Sequence, residues 1–176
     1  MPNWVKNVIS VTDVKAISGC LTRNESGEVE YDFEKVVPMP EEIYKGNLGK
    51  EEWKKYGCDN WYDWSILNWG TKWNAHDYHR IDKYTFAIST AWSTPEPFIK
   101  ALSRKYNCEV SVKYADEDIG NNCGSYTYFE GELDDEWAPD DPKKFAEDLW
   151  EYEGNEEARN DEIREYTISF AEWPQN

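Results

Sequence analysis

The sequence is poor in the residue types that most catalytic and metal sites require. It has two histidines, and its four cysteines are far apart, with no CxxC pair: Cys20, Cys58, Cys108 and Cys123. A structural zinc site draws four Cys or His ligands from closely spaced pairs, and a hydrolytic triad needs a positioned histidine. We therefore expect free thiols in a reducing compartment, with no metal and no cofactor.

The absence of other sequence motifs narrows the range of possible functions further. The sequence has no GxxxxGK[ST] phosphate loop, no GxGxxG fingerprint and no GxSxG elbow, so the protein is predicted not to be an enzyme. It has no apolar run of about 18 residues. Its first ten residues also lack the basic and apolar regions of a signal peptide. These features predict a cytoplasmic protein that does not enter a membrane.

Acidic charge is concentrated in one part of the chain. Residues 116–165 hold 19 acidic and 4 basic side chains, which is a net charge of -15 out of a total of -17. Such a stretch repels nucleic acids and anionic membranes and attracts basic surfaces. Aromatic residues make up 16% of the chain and also occur inside the acidic stretch, which argues that this stretch folds onto the rest of the protein.

The first half of the chain alternates between predicted strands and helices. Residues 4–12 have the alternation of a strand. Residues 50–69 are predicted as a helix in two pieces interrupted at Gly57, with Asp59 as the N-cap of the second piece and Gly70 as its end. A hairpin is predicted from residues 71–78 and 84–92, with its turn near Asp82–Lys83.

The second half begins with the clearest helix signal. Thr94 is predicted as its N-cap and Pro95 as its first residue, followed by an apolar stripe that includes Phe98 and Leu102. Strands are then predicted over residues 108–114 and 124–133. A helix capped by Asp141 follows over 142–153, and the chain closes with a short strand over 166–173.

This order of elements predicts an α+β fold. It is the order of a ferredoxin-like βαββαβ sandwich with an additional strand, in which helices cover one face of the sheet. We expect residues 1–133 to form the ferredoxin-like domain. Residues 134–176 are expected to form an acidic C-terminal extension packed on the same domain.

Several segments together resemble a known family. The N-terminal MPNW, the extended FEKVVPMPEEI, the NWGTKWNA segment and the FAISTAWSTPEPFIKALSRKYN run are similar to the YubB ferredoxin-like family of phage and plasmid proteins. The resemblance covers roughly residues 1–132. It implies a ferredoxin-like domain carried by mobile genetic elements in bacterial cells. It implies no catalytic residues, and it leaves the acidic region beyond about residue 133 unexplained.

Each of the remaining motifs allows two interpretations, one structural and one functional. His76 and His79 are three residues apart, and in a regular strand they would face opposite sides, which favours a surface pair over a metal site. The carboxylates at 116–118 and 134–136 are predicted as solvated acidic loops, with a divalent-cation site, and a metal-dependent enzyme built on it, as the alternative. Trp69 and Trp73 in NWGTKWN are predicted to fill the core, with a binding pocket as the alternative.

The leading functional hypothesis is therefore a non-enzymatic protein that binds a basic host protein. The partner would be a nucleic-acid-processing or defence protein, bound by acidic residues that mimic nucleic acid and by two tryptophan anchors. The alternatives are a small-ligand or self-assembling module, including a homo-oligomer, in which the charge serves only solubility. Direct binding of nucleic acid is not expected. The predicted binding residues are Asp134, Asp135, Glu136, Trp137, Asp140, Asp141, Glu147, Asp148, Trp150, Glu151 and Glu153.

Overall fold

The first half of the chain contributes one central strand and a run of short elements. The computed structural model describes residues 2–44, 49–58 and 60–152. The strand β1 (Trp4–Val11) leads to the short helix α1 (Lys15–Ser18) and to a small separate hairpin of β2 (Leu21–Arg23) and β3 (Val29–Tyr31). After one 3-10 turn at Phe33–Lys35, three helices follow: α2 (Glu41–Tyr44), α3 (Lys50–Tyr56) and α4 (Trp61–Asn68).

The second half supplies most of the sheet. The strands β4 (His76–Arg80) and β5 (Thr85–Ala91) form a hairpin, and the helix α5 (Glu96–Tyr106) follows. Three further strands come next, namely β6 (Glu109–Asp116), β7 (Cys123–Phe129) and β8 (Glu132–Trp137). The last described element is the helix α6 (Pro142–Glu151).

The main sheet has the strand order of a ferredoxin-like fold. Its six strands are arranged β4-β5-β1-β6-β7-β8, and every neighbouring pair is antiparallel. The four strands β6, β1, β5 and β4 form the βαββαβ unit, in which α1 to α4 occupy the first crossover and α5 the second. The predicted α+β ferredoxin-like class is therefore confirmed. Strands β7 and β8 extend the sheet beyond β6.

One face of the sheet carries the larger core. Ile9, Phe86 and Val112 project from neighbouring strands and pack against Phe98 and Leu102 of α5. Phe98 lies on this face because residues three to four apart along α5 form one apolar stripe, as its sequence predicts. Phe33 stacks on Phe98 with ring centroids 4.0 Å apart, which fixes the long first crossover over the same face.

Helix α6 covers part of the opposite face, whereas the sequence analysis placed helices on one face only. Ala146 and Leu149 of α6 pack on Val8, Ala87 and Ala115 of three adjacent strands. Every residue of β5 is buried, because side chains on both faces of this strand are covered. The predicted boundary between residues 133 and 134 lies inside β8, so the acidic segment as far as Tyr152 is built into the sheet and its second face.

Several local predictions differ from the structure. Helix α5 begins at Glu96 after Pro95, and no side chain caps it, because the Thr94 hydroxyl instead lies 2.7 Å from the Tyr126 hydroxyl. The N-cap of α4 is Asn60, whose side chain accepts from the Asp63 N–H. Strand β4 begins only at His76, after the predicted start at residue 71. Asp59, Glu153 and the predicted strand at 166–173 lie outside the described residues.

Candidate protein-binding surface

The carboxylates at 134–136 lie on an edge strand and not in the loop that the sequence analysis predicted. All six residues of β8 are exposed, and β8 pairs with β7 from Glu132 to Trp137. The turn between these strands is Glu130–Gly131, and both residues have positive φ (50° and 81°), which is the geometry of a tight two-residue hairpin. The Glu130–Gly131 pair is the sequence feature that indicates a turn here, and therefore a separate strand after it.

Helix α6 places further carboxylates beside the sheet. The Asp141 side chain accepts from the Lys144 N–H at 3.0 Å, and Pro142 occupies the first helical turn, so the predicted start of this helix is confirmed. Ala146 and Leu149 are buried against the sheet. Because the opposite side of the helix is left to solvent, Glu147, Asp148 and Glu151 are exposed.

Trp137 joins the strand to the helix. Its ring contacts Phe145 of α6 edge-on, with centroids 5.6 Å apart, yet Trp137 remains 47% exposed. Its carbonyl lies so close to Gly124 of β7 that an added Cβ there would come within 2.9 Å of the carbonyl oxygen. Trp137 is therefore fixed in position and still available to a partner.

Trp150, the second predicted anchor, is held against the sheet by a hydrogen bond. It is half-buried, and its indole N–H donates to the Asp116 carbonyl at 3.0 Å. The Lys6 ammonium donates to the carbonyls of Trp150 (3.1 Å) and Tyr152 (2.8 Å), where a cation is favourable at the end of a helix. These contacts fix the end of α6 on the sheet.

We call the eight exposed carboxylates of this region the acidic surface. Within the described part of the chain, none of the eight forms an ion pair, and the basic residues of the segment 132–151 are Lys143 and Lys144. The only ion pair at this edge of the described structure joins Arg104 to Glu132 at 3.9 Å. The acidic surface consists of Asp134, Asp135, Glu136, Asp140, Asp141, Glu147, Asp148 and Glu151.

The negative field of β8 acts on tyrosines of the neighbouring strands. Burial raises the pKa of Tyr114, and the carboxylate of Glu136 raises it further. Burial also raises the pKa of Tyr128 to about 12, with additional contributions from its hydrogen bond to Glu96 and from Glu136 and Glu132. Both phenols are therefore neutral at physiological pH.

A family model described as "Ferredoxin-like domain in Api92-like protein" matches residues 68–168. The chain belongs to this family. A search of curated proteins gives no match. Among solved structures, the chain is similar to the crystal structure of the Api92 protein from Yersinia pseudotuberculosis, with 19% identity and a TM-score of 0.44. That similarity covers 64% of this chain, which spans only 43% of the Yersinia protein.

The family match and the resemblance to the YubB family have different extents. The segments that resemble the YubB family cover residues 1–132 and leave the acidic region outside. The match to the Api92-like ferredoxin-like domain instead begins in the NWGTKWN segment and continues to residue 168. The whole acidic surface is therefore part of the matched domain.

The two tryptophans of NWGTKWN have separate places in this Api92-like domain. Trp69 is buried in the core, and its indole N–H donates to the Val37 carbonyl at 2.9 Å. Gly70 follows α4 with φ +82°, as predicted for a residue that ends a helix. Trp73 is only half-buried and contacts the rings of Trp4 and His76. The prediction that these tryptophans fill the core is confirmed for Trp69 and is wrong for Trp73.

The histidines lie on one face of β4 and not on opposite faces. His76 pairs with Ser89 and His79 with Ala87, two positions apart on β5, because a bulge with Asp77 at φ +51° shifts the register between them. Residues 2–44, 49–58 and 60–152 contain no group of three or more His, Cys, Asp or Glu side chains arranged to hold a metal ion. None of the helices within these ranges is long and apolar enough to cross a membrane.

The cysteines are free thiols in protected positions. Cys20, Cys58 and Cys108 are buried, and Cys123 is half-buried. Burial raises the pKa of the Cys20, Cys108 and Cys123 thiols, which disfavours the reactive thiolate. These cysteines act as small apolar groups of the core and its edge.

Proposed function

We propose that this protein binds a basic surface of another protein through its acidic surface and acts without catalysis. The observation that carries the proposal is the exposure of all eight carboxylates, with no ion pair to neutralise any of them within the described residues. Carboxylates that remain uncompensated attract a cationic partner and increase its rate of association.

The rigidity of the acidic surface favours binding over a role in solubility alone. Strand β8 is fixed by its pairing with β7, and α6 is fixed by the burial of Leu149 and by the Lys6 contacts at its end. A charged surface that is ordered before binding loses little conformational entropy when the partner arrives. A role in solubility would require only net charge and no defined arrangement of the carboxylates.

The density of charge along β8 supports mimicry of nucleic acid. Asp134, Asp135 and Glu136 are consecutive and exposed. Because successive side chains of a strand point to opposite faces, both sides of this edge strand carry negative charge. A nucleic-acid-processing or defence protein of the bacterial host has a basic groove of the matching kind.

The resemblance to the YubB family of phage and plasmid proteins adds the biological setting of the proposal. Mobile elements benefit from proteins that occupy nucleic-acid sites of host defence enzymes. The protein would act in the host cytoplasm, as a partner of such an enzyme and without contacting nucleic acid itself.

Two other functions have a structural feature in their favour. Charged residues on an edge strand such as β8 also prevent sheet-to-sheet association, so the acidic charge could act only to keep the protein monomeric. A cleft of about 410 Å³ beside α6 has a mixed lining and would suit a small amphipathic ligand. Apolar side chains such as Val8 and Phe145 line it together with polar ones such as Ser10 and Lys113. Neither alternative predicts a partner that leaves at high salt.

Affinity capture from bacterial lysate with two charge variants tests the proposal. The first variant neutralises the acidic surface through Asp134→Asn, Asp135→Asn, Glu136→Gln, Glu147→Gln and Asp148→Asn. The matched control makes the same change in net charge at exposed positions elsewhere, through Glu25→Gln, Glu28→Gln, Glu41→Gln, Glu51→Gln and Glu109→Gln.

The expected result is a basic protein retained by the wild type and by the control at low salt, released at high salt, and lost from the first variant. If both variants lose the partner equally, binding depends on the total net charge and not on the acidic surface. Equal retention by both would refute the proposal.

A further inference from the structure

Six aromatic rings, some exposed and some half-buried, form a group in two halves that is separate from the acidic surface. Contacts run from Trp61 to Tyr62 (6.1 Å between centroids), from Tyr62 to Trp92 (6.3 Å), and from Trp73 to Trp4 (6.1 Å) and on to His76 (4.9 Å from Trp4). We call this group the aromatic belt; its rings are Trp61, Tyr62, Trp92, Trp73, Trp4 and His76. Trp61 and Trp92 are each 43% exposed.

Lys72 links the two halves of the belt. Its ammonium nitrogen lies 4.4 Å from the ring centroid of Trp73 and 4.8 Å from that of Trp92. Both distances are well inside the range of cation–π attraction. This pair of indole rings therefore already holds one cation, supplied by the chain itself.

Trp92 is held at the surface in a conformation that a large side chain rarely adopts. Its φ is +69°, in the left-handed region. Its N–H donates to the Asn3 carbonyl at 2.9 Å, and its own carbonyl accepts from the Asn122 side chain at 3.1 Å. Backbone strain of this kind persists only where neighbouring contacts enforce it, and it concentrates at binding and catalytic sites.

A buried carboxylate positions both asparagines that hold Trp92. Asp116 is 6% exposed and accepts from the Asn3 side chain at 3.3 Å and from the Asn122 side chain at 3.2 Å. It also accepts from the Asp118 N–H at 2.8 Å. The position of Trp92 is therefore determined by a network that begins inside the protein.

A carboxylate adjoins the belt as well. Glu117 accepts from the Trp4 N–H at 3.0 Å, and its side chain is exposed. Exposed indole rings beside a carboxylate complement a guanidinium group, because its planar cation stacks on an aromatic face and pairs with an anion. A nucleic acid would stack on the rings, but the carboxylate and the net charge of -17 repel its phosphates.

We propose that the aromatic belt is a docking surface for an arginine-bearing segment of a protein partner, with a guanidinium group that displaces the Lys72 ammonium and stacks on Trp92. No residue of the belt belongs to the acidic surface, so this proposal goes beyond the proposed function and can hold or fail without it. The two surfaces are connected through Asp116, whose carbonyl accepts from Trp150 of α6.

The test compares two defined peptides at physiological salt by isothermal titration calorimetry. One is a glycine peptide that carries three arginines, and the other carries three lysines in the same places. General attraction to an acidic protein is similar for both, whereas stacking on indole favours the planar guanidinium. We expect the full-length protein to prefer the arginine peptide by about three- to tenfold.

The informative variant is Trp92→Gly, because glycine adopts positive φ without strain. It removes the backbone strain together with the ring contacts to Tyr62 and Lys72, so we expect a folded protein with a modestly lower melting temperature and no preference for arginine. Trp53→Ala removes a tryptophan that is 57% exposed and lies outside the belt, and it should retain the preference. The five-carboxylate variant should weaken the binding of both peptides and leave their ratio unchanged, which separates this proposal from the proposed function.

Three results would overturn the proposal. The first is equal affinity of the wild type for both peptides, or a preference that Trp92→Gly retains. The second is tighter binding of an oligothymidine than of the arginine peptide, lost in Trp92→Gly, which would assign the belt to nucleic acid. The third is self-association in sedimentation equilibrium that Trp92→Gly abolishes, which would assign it to a second copy of the chain.

Discussion

The phenol oxygen of Tyr128 lies 2.7 Å from a carboxylate oxygen of Glu96 and joins strand β7 to the first turn of helix α5. The hydrogen bond requires the protonated phenol. Burial, followed by this bond and the nearby carboxylates, raises the pKa of Tyr128 to about 12 from its ordinary value of 10. The bond therefore makes folding sensitive to alkaline pH.

The sign of that sensitivity follows from the raised pKa. The stabilisation is fully present below pH 10, the pKa of an unfolded tyrosine, and is lost as the pH rises toward about 12. We expect the free energy of unfolding to fall between these values, and to fall less steeply in Tyr128→Phe, which also loses about 1 kcal/mol at neutral pH. Urea titrations at several alkaline pH values measure this, and identical slopes for the two proteins would contradict it.

Removal of the Asp116 carboxylate should destabilise the protein. Asp116→Ala removes the buried acceptor of three hydrogen bonds, from the side chains of Asn3 and Asn122 and from the Asp118 N–H, and the expected loss is about 1–3 kcal/mol in the free energy of unfolding by urea. The matched control is Asp118→Ala, since the Asp118 carboxylate is exposed and, among the described residues, accepts only from the Asn121 side chain. A loss in Asp116→Ala no greater than that of the control would show that the network is dispensable.

Two glycines have almost the same backbone conformation, so alanine substitutions at these positions distinguish the cost of backbone strain from the cost of steric crowding. Gly70 and Gly27 have φ of +82° and +85°, but an added Cβ would come within 2.4 Å of Pro97 Cδ at Gly70 and would meet nothing within 4 Å at Gly27. Gly27→Ala should cost about 1 kcal/mol for the left-handed conformation alone. Gly70→Ala should cost about 1–3 kcal/mol more, because α5 must shift. Equal melting temperatures would refute the close contact.

The packing of α6 on the second face of the sheet can be tested at Leu149. Leu149→Ala removes a buried side chain that contacts the cluster around Val8 and Ala115, and we expect a loss of about 2–4 kcal/mol. Glu147→Ala, at an exposed position on the same helix, should change stability by less than about 0.5 kcal/mol. Hydrogen exchange should show faster opening of α6 in Leu149→Ala. A loss as small as that of the control would mean that α6 does not pack as described.

The sequence predicts best the elements that have one buried face. Helix α5 follows from its apolar stripe through Phe98 and Leu102, and the capped start of α6 follows from Asp141 and Pro142. Strand β8 was missed because every residue of it is exposed, so burial leaves no period-two pattern in ELDDEW. Its signal was the turn Glu130–Gly131.

Other features of the site depend on contacts that are distant in the sequence. The apolar side of α6 is visible in the sequence, but only the sheet decides which face it covers. The left-handed conformation of Trp92 depends on Asn3 and Asn122, which are far away along the chain. The shared face of His76 and His79 depends on a bulge at Asp77, which the strand pattern does not encode.

The most direct test of the central claim is the salt dependence of partner capture by the wild type and by the variant with five neutralised carboxylates. Binding through the acidic surface predicts that the wild type retains a basic protein at low salt and releases it at high salt. It also predicts that the variant fails to retain that protein, while the control with equal charge change does retain it. Retention of the same partner by the wild type and the variant, unaffected by salt, would contradict the claim.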